Sequence, residues 1–187
     1  MAIRITQDER ADQVLTDDPF ALLAGMLLDQ QFPMERAFAG PAKVLERFGS
    51  LDPARIAEAD PEEFAALCAT PPAVHRFPGS MAARLQALAA LVVEEYDGDT
   101  ARLWTEAADG RDLLKRVMAI PGFGKQKAQI FVALLAKQVG VRPDGWEAAA
   151  GGYAEEGYRS VADVVDEVSL QKVRDYKKSK KAAAKRS

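Results

Sequence analysis

Three Asp-Pro pairs and several glycines punctuate this chain at intervals that suit short helices. The pairs are Asp18-Pro19, Asp52-Pro53 and Asp60-Pro61. Because an aspartate can cap a helix and proline is favoured at the first helical position, each pair predicts a helix start. Apolar residues recur at spacings of three and four rather than two, which is typical of helices and not of strands. The sequence therefore predicts an all-α fold.

The limits of the predicted helices come from proline, glycine and capping residues. The helices cover 19–31, 33–48, segments starting at 53 and 61, 80–96, 100–107, 111–119, about 125–139 and about 160–176, the last opened by a Ser160/Asp163 capping pattern. With 187 residues, 48% of them hydrophobic, the chain can bury a core of its own. We expect one compact helical domain over 1–176, built as two lobes with a cleft between them, and a basic, disordered tail over 177–187.

The scarcity of cysteine and histidine limits the disulfides, metal sites and catalytic triads that the chain can form. Cys68 is the only cysteine, which excludes an internal disulfide and a multi-cysteine iron-sulfur or zinc site. His75 is the only histidine, so neither a histidine metal site nor a Ser-His-Asp triad is expected. We expect no metal and no cofactor. A polar start of the sequence and the lack of a long apolar segment predict a cytoplasmic protein without membrane contact.

Charge is unevenly distributed along the chain. The net charge is −3, which by itself argues against a nucleic-acid partner. Residues 171–187, however, carry eight Lys or Arg and one Asp, a net +7, which leaves −10 for the remainder. The basic segment has two interpretations, a solubilising end or an arm that attracts phosphates without sequence preference.

The most informative segment is Ile-Pro-Gly-Phe-Gly-Lys-Gln-Lys-Ala at 120–128, between two amphipathic helical patterns. Gly122 and Gly124 permit positive φ and leave their backbone N–H groups unshielded. Together with the start of the following helix, these donors form an anion site suited to a DNA phosphate, and Lys125 and Lys127 add positive charge. Phe123 is predicted to belong, with these glycines and lysines, to the segment that binds the DNA backbone, and its ring is expected to pack under the turn. The simpler alternative is an ordinary interhelical turn with a glycine cap.

This segment resembles the helix-hairpin-helix motif, and the chain resembles the helix-hairpin-helix (HhH-GPD) superfamily of base excision DNA glycosylases. The resemblance extends over a Gly/Pro-containing loop that ends on Asp144, 20 residues after Gly124. It implies a helical fold, contacts with the phosphates of double-stranded DNA, and extrusion of the target base from the stack. It also implies that Asp144 is the catalytic carboxylate. We expect the protein to act as a monomer.

Asp144 has a second interpretation that depends only on its neighbours. Asp144-Gly145-Trp146-Glu147 has the spacing of a helix N-cap and its partner three residues on. The family usually has a hydrophobic residue before its aspartate, whereas Pro143 occupies that position here. The carboxylate can therefore be catalytic, a helix cap, or both.

Two further matches refine the predicted activity. Leu27-Leu28-Asp29-Gln30-Gln31-Phe32 resembles a family segment whose glutamines face DNA, which implies Gln30 or Gln31 as a wedge or pocket residue; the alternative is a polar helix end. Relatives that cleave the DNA strand carry a lysine where this chain has Gln126. Lys125 and Lys127 flank that position but point about 100° away on a helix.

The resulting prediction is a monofunctional DNA glycosylase, with an alkylated purine or hypoxanthine favoured as the excised base. The alternative from another class is a non-catalytic DNA-binding protein that uses the same hairpin. A glycosylase with lyase activity through Lys125 or Lys127 is a third interpretation, which a borohydride trapping experiment distinguishes.

Overall fold

The computed structural model describes residues 2–186, and no strand occurs in that range. The all-α prediction is confirmed. The helices are α1 Glu9–Asp17, α2 Pro19–Leu28, α3 Met34–Phe48, α4 Pro53–Glu58, α5 Pro61–Ala69, α6 Pro78–Tyr96, α7 Arg102–Thr105, α8 Gly110–Met118, α9 Lys125–Leu134, α10 Trp146–Ala150 and α11 Glu167–Arg186. A π-helical turn, Leu135–Val139, continues α9, and two 3₁₀ turns, Gly151–Ala154 and Val161–Asp163, lie between α10 and α11.

The Asp-Pro pairs start helices as predicted. The carboxylate of Asp18 accepts from the backbone N–H of Phe20 at 2.8 Å. The carboxylates of Asp52 and Asp60 cap α4 and α5 in the same way. In each case proline occupies the first turn, where its missing N–H costs no helical hydrogen bond. These helix starts depend only on residues next to each other in the chain.

The last part of the chain differs from the prediction in two respects. The Ser160/Asp163 capping box is present, but it opens a 3₁₀ turn, and α11 begins at Glu167. Residues 177–186, predicted to be disordered, continue α11 without a break. Alanine, lysine and arginine have high helix propensity, and cations at a helix C-terminus are stabilised by the helix dipole. Ser187 lies outside the described residues.

The helices associate in two groups around one continuous core. Helices α1 to α6 pack mainly on one another, and α8 to α10 pack mainly on one another. Helix α2 is buried along nearly its whole length and shares the core with α6, α8 and α9. The end of α2 consequently lies where the two groups meet. No helix in the described part of the chain has the length and apolarity needed to cross a membrane.

The π-helical turn holds the segment that leads into α11. The buried side-chain amide of Gln138 donates to the carbonyls of Ala162 at 2.8 Å and Val164 at 3.0 Å. The ammonium of Lys137 pairs with the carboxylate of Asp163 at 2.7 Å. These contacts attach the start of α11 to the end of α9.

Candidate functional site

The glycine hairpin connects α8 to α9. The backbone N–H of Phe123 donates to the carbonyl of Ile120 at 3.0 Å, which closes the turn. Gly122 has φ +88°, as predicted, because an L side chain rarely adopts this conformation. Gly124 differs from the prediction, since it is extended with φ −73°. The ring of Phe123 is buried beneath the turn and meets Phe131 edge to face, as expected for its packing, while its contribution to DNA binding stays a prediction.

The start of α9 is open to an anion. Gly124 is its N-cap residue, and no side chain among the described residues caps this helix. A Cβ placed on Gly124 would have no atom within 4 Å, so the approach to the first N–H groups is unobstructed. Lys125, at the first position of α9, is exposed. This end of α9 therefore combines free backbone donors with a positive charge, as phosphate sites do.

The two hairpin lysines have different environments. The ammonium of Lys127 is directed into the protein, where it donates to the carbonyls of Met26 at 3.0 Å and Leu27 at 3.2 Å. Burial lowers the pKa of Lys127 to about 8, and the nearby carboxylate of Asp29 opposes that shift. Lys127 thus connects the hairpin to the end of α2, and Lys125 is the hairpin lysine that faces solvent.

The loop after α2, residues 29–33, is called here the glutamine loop. Its two glutamines, Gln30 and Gln31, have different environments. The Gln30 side chain is held internally, since its amide donates to the carbonyl of Leu27 at 2.8 Å and its oxygen accepts from Arg84 at 2.9 Å. Gln31 is exposed and has φ +51°. Of the two predicted wedge residues, Gln31 is the one that projects from the surface.

His75 supports this loop through one ring nitrogen, and the other nitrogen binds the backbone of its own segment. Its ring is buried; Nδ1 accepts from the backbone N–H of Phe77 at 3.0 Å, and Nε2 therefore donates to the carbonyl of Gln30 at 2.9 Å. Burial lowers the pKa of His75, which favours the neutral ring. The described residues contain no group of His, Cys, Asp and Glu side chains that suits a metal ion.

The hairpin and this loop are neighbours in space. A Cβ on Gly122 would lie 3.8 Å from the guanidinium of Arg84 and 3.9 Å from the side chain of Leu27. Arg84 in turn holds Gln30. The structure therefore brings together Gly122, Lys127 and the glutamine loop, although about 90 residues separate the loop from the hairpin in the sequence.

A pocket of about 510 Å³ opens beside the hairpin, between the end of α2, the start of α9 and the face of α11. It is lined by Met26, Asp29, Gln126, Lys127, Ile130, Tyr153, Arg159, Tyr176, Lys177, Lys180 and Lys181. Five of these residues are basic and one is acidic. The lysines of the C-terminal segment thus contribute to this pocket as part of an ordered helix face.

Asp29 is the carboxylate of the pocket, and the sequence patterns assigned it no role. It terminates α2, two residues after Leu27 and three after Met26, whose carbonyls accept from Lys127. Burial raises the pKa of Asp29, while the charges of Lys177 and Lys127 lower it. The sequence feature that could have indicated Asp29 is its position as an acidic residue between the apolar end of a helix and two glutamines.

Gln126 is the residue for which the family resemblance implies a lysine in strand-cleaving relatives. Its side-chain amide donates to the hydroxyl of Tyr153 at 2.9 Å, and both residues line the pocket. An amide is not a nucleophile toward a sugar carbon, so this position offers hydrogen bonding in place of covalent chemistry.

Asp144 lies apart from these residues. It is exposed, and its backbone carbonyl accepts from the N–H of Gly110, at the first residue of α8. The hairpin follows the other end of the same nine-residue helix, which at 1.5 Å per residue is about 12 Å away. The capping alternative is wrong, because Gly145 is the N-cap of α10 and no side-chain cap is present there. The catalytic assignment of Asp144 stays a prediction.

A second pocket, of about 850 Å³, lies on the other side of the glutamine loop. Its lining includes Gln31, Phe32 and the basic residues Arg36, Lys43 and Arg76. The exposed Gln31 therefore stands beside a second basic surface, which is suited to the backbone of a nucleic acid on that side of the loop.

Comparison with protein families identifies one family that the chain matches. The family described as HhH-GPD superfamily base excision DNA repair protein matches residues 24–187, a range that includes the glutamine loop, the hairpin and α11. Neither the curated proteins nor the solved structures compared with the chain match it. Because the family match extends over most of its length, the chain belongs to the HhH-GPD superfamily of base excision DNA repair proteins.

Proposed function

We propose that this protein is a monofunctional DNA glycosylase, which hydrolyses the bond between a deaminated or damaged base and its sugar. The observation that carries the proposal is the pocket beside the hairpin, which combines a carboxylate with an amide, Gln126, at the position of the strand-cleaving lysine. Membership of a base excision repair family makes DNA the partner. The pocket supplies a place for an extruded nucleotide next to the phosphate-binding hairpin.

The hairpin supports binding to the DNA backbone without sequence preference. The free N–H groups at the start of α9 and the ammonium of Lys125 suit one phosphate, and neither group reads a base. Gln31 is exposed on the adjacent loop and suits the gap that an extruded base leaves in the duplex. Binding by backbone contacts predicts an affinity that falls steeply with salt.

The pocket charge favours hypoxanthine over an alkylated purine. Many alkylated purines carry a fixed positive charge, and five of the residues that line the pocket are basic. Like charges in a partly desolvated site repel each other more strongly than in water. Hypoxanthine is neutral, and its carbonyl oxygen can accept hydrogen bonds from the Gln126 amide or the Tyr153 hydroxyl.

The reaction needs a carboxylate near C1′ of the sugar, because the transition state has oxocarbenium character. The family resemblance indicates Asp144, and Asp144→Asn tests that assignment. The exposed position of Asp144 at the start of α8 does not support it, since the benefit of a carboxylate depends on exclusion of water.

A panel of duplexes, each with one modified base, tests the proposed function. The wild-type protein should produce abasic sites from the hypoxanthine duplex under single-turnover conditions. Borohydride should trap no covalent complex, because Gln126 replaces the nucleophilic lysine and the ammonium of Lys127 is engaged by the carbonyls of Met26 and Leu27. Trapping that disappears in Lys127→Met would reveal a lyase and overturn the monofunctional assignment. If no duplex in the panel loses a base, the protein is a non-catalytic DNA-binding member of the family.

A further inference from the structure

A carboxylate and an ammonium from distant parts of the sequence line the same pocket beside the hairpin. Asp29 terminates α2, and the ammonium of Lys127 is held by the carbonyls of Met26 and Leu27, in the last turn of the same helix. Both residues line the pocket. Each is half-buried, so each keeps a surface toward the cavity while the rest of the side chain is packed.

We infer that Asp29 is the catalytic carboxylate of this protein, and that Lys127, held at the end of α2 in the same pocket, is a positioning residue for it. The inference rests on the proposed glycosylase function and names the residue that performs its chemistry. Among the residues that line the pocket, Asp29 is the one with a carboxylate. Glutamate and aspartate side chains elsewhere in the described range lie outside that lining.

The chemistry requires no group that the chain lacks. A water molecule attacks C1′ of the extruded nucleotide and forms the new carbon–oxygen bond while its proton passes to the Asp29 carboxylate. The bond between C1′ and the base nitrogen breaks, and its electron pair leaves with the base. The base takes a proton from solvent, and Asp29 releases its proton to solvent. In the transition state the negative charge of Asp29 also stabilises the positive sugar.

Lys127 acts by opposing the effect of burial on Asp29. Burial raises the pKa of Asp29, and a protonated carboxyl can neither accept the proton of water nor offset positive charge. The charged groups around Asp29 are Lys177 of α11 and then Lys127 of α9, which lower its pKa, and Glu35 of α3, which raises it. Lys127 is itself affected by Arg84 of α6 and by Lys177, which both lower its pKa.

The position of the Lys127 ammonium is set by backbone carbonyls of α2. Two carbonyls at the C-terminal end of α2 accept from its ammonium, where the helix dipole also favours a cation. The ammonium therefore has a support that persists when the substrate displaces water from the pocket.

The test compares Asp29→Asn with Asp144→Asn in single-turnover base release from the hypoxanthine duplex. Asp29→Asn should lose about 100-fold or more, the usual cost of removing a preorganised charge from the transition state. Asp144→Asn should stay within a few-fold of the wild type. Both variants should bind the duplex with unchanged affinity in fluorescence anisotropy. Asp17→Asn, an exposed carboxylate at the end of α1, is the matched control.

The outcomes separate this inference from the function that it rests on. Wild-type release of hypoxanthine with an active Asp29→Asn overturns the inference and leaves the proposed function intact. A large loss in Asp144→Asn with an active Asp29→Asn assigns the carboxylate to Asp144. A wild-type protein that releases no base from any duplex overturns both proposals.

Two further measurements apply if Asp29→Asn melts at a lower temperature than the wild type. Asp29→Ala should regain base release when formate is added, because a free carboxylate can occupy the vacated space. The pH profile provides a readout that a purely structural role would not change. Lys127→Met should shift the acid limb of the rate profile to higher pH, and Lys127→Arg should return it toward the wild-type position. Absence of both the rescue and the shift would overturn the inference.

Discussion

The guanidinium of Arg84 donates a hydrogen bond to the side-chain oxygen of Gln30 at 2.9 Å, and the same guanidinium lies beside Gly122 of the hairpin. This interaction ties α6, the glutamine loop and the hairpin to one another. Because Gln30 is engaged in this way, the neighbouring Gln31 is left as the exposed glutamine. The hydrogen bond therefore distinguishes two residues that the sequence presents as equivalent.

Gln31 is expected to act as the wedge. Gln31→Ala should reduce base release from a fully paired duplex by about tenfold, equivalent to about 1.4 kcal/mol, because nothing then fills the gap left by the extruded base. The same variant should lose little activity when the modified base is in single-stranded DNA, where no stack has to be opened. Single-turnover rates on the two substrates measure the difference.

The control variant for Gln31 takes account of the positive φ of this residue. Its φ of +51° favours glycine, so Gln31→Gly removes the side chain without adding strain. Equal losses on paired and single-stranded DNA would show that Gln31 does not act by filling the duplex.

The two hairpin glycines should respond differently to substitution. Gly122→Ala places a Cβ at φ +88° and should lower the free energy of unfolding by about 1 kcal/mol. Gly124 has an ordinary φ, and an added Cβ would have no atom within 4 Å. The free energy of unfolding of Gly124→Ala should therefore stay within a few tenths of a kcal/mol of the wild-type value. Both should weaken binding to all DNA sequences about equally, because the added methyl group obstructs the phosphate.

Thermal melting and fluorescence anisotropy at fixed salt measure these effects. Gly124→Ala is the more informative variant because its fold should be undisturbed. Unchanged affinity in Gly124→Ala would remove the start of α9 from the DNA interface.

The lysines of α11 that face the pocket should contribute to binding by neutralising phosphates. Lys177, Lys180 and Lys181 lie on one face of α11, at helical spacing, and line the pocket. The triple substitution to alanine should flatten the log-log dependence of DNA affinity on salt by about 0.9 for each phosphate that is no longer neutralised. Helicity should be retained, since alanine is the best helix former.

A triple variant with the same change in charge serves as the comparison. Lys178, Lys185 and Arg186 belong to the same helix but do not line the pocket. If both triple variants flatten the salt dependence equally, α11 acts only through its net charge and the lysine face has no specific role.

His75 should make the stability of the protein sensitive to mild acid. Its pKa is lowered by burial below the ordinary 6.5, so the unfolded chain binds a proton before the folded protein does. The stabilisation is therefore complete above pH 6.5 and is lost as the pH falls below that value toward the folded pKa. The loss is at most about 1.4 kcal/mol per pH unit for one group.

Chemical unfolding at pH 7.5 and pH 5.5 measures this effect. His75→Gln cannot titrate and should show a smaller difference between the two pH values, although it is less stable at pH 7.5 because it does not reproduce both ring hydrogen bonds. An equal pH dependence in the wild type and in His75→Gln would exclude His75 as the cause.

The sequence alone determined the features that depend on neighbouring residues. Asp18, Asp52 and Asp60 cap helices through bonds that extend two or three residues along the chain, so the residue types were sufficient to predict the helix starts. Gly122 required a positive φ within one tight turn, and the hairpin pattern identified it. The family resemblance depended on the same kind of local pattern and was confirmed.

Only the tertiary structure decided which side chains share the pocket. Asp29 and Lys127 lie 98 residues apart in the sequence, and they share a pocket because α2 ends and α9 begins at the place where the two groups of helices join. Asp144 follows the hairpin by 20 residues, yet the packing of α10 against the start of α8 places it away from the pocket. Helix caps follow from short-range hydrogen bonds, whereas the meeting of distant side chains follows from how whole helices pack, which no local pattern specifies.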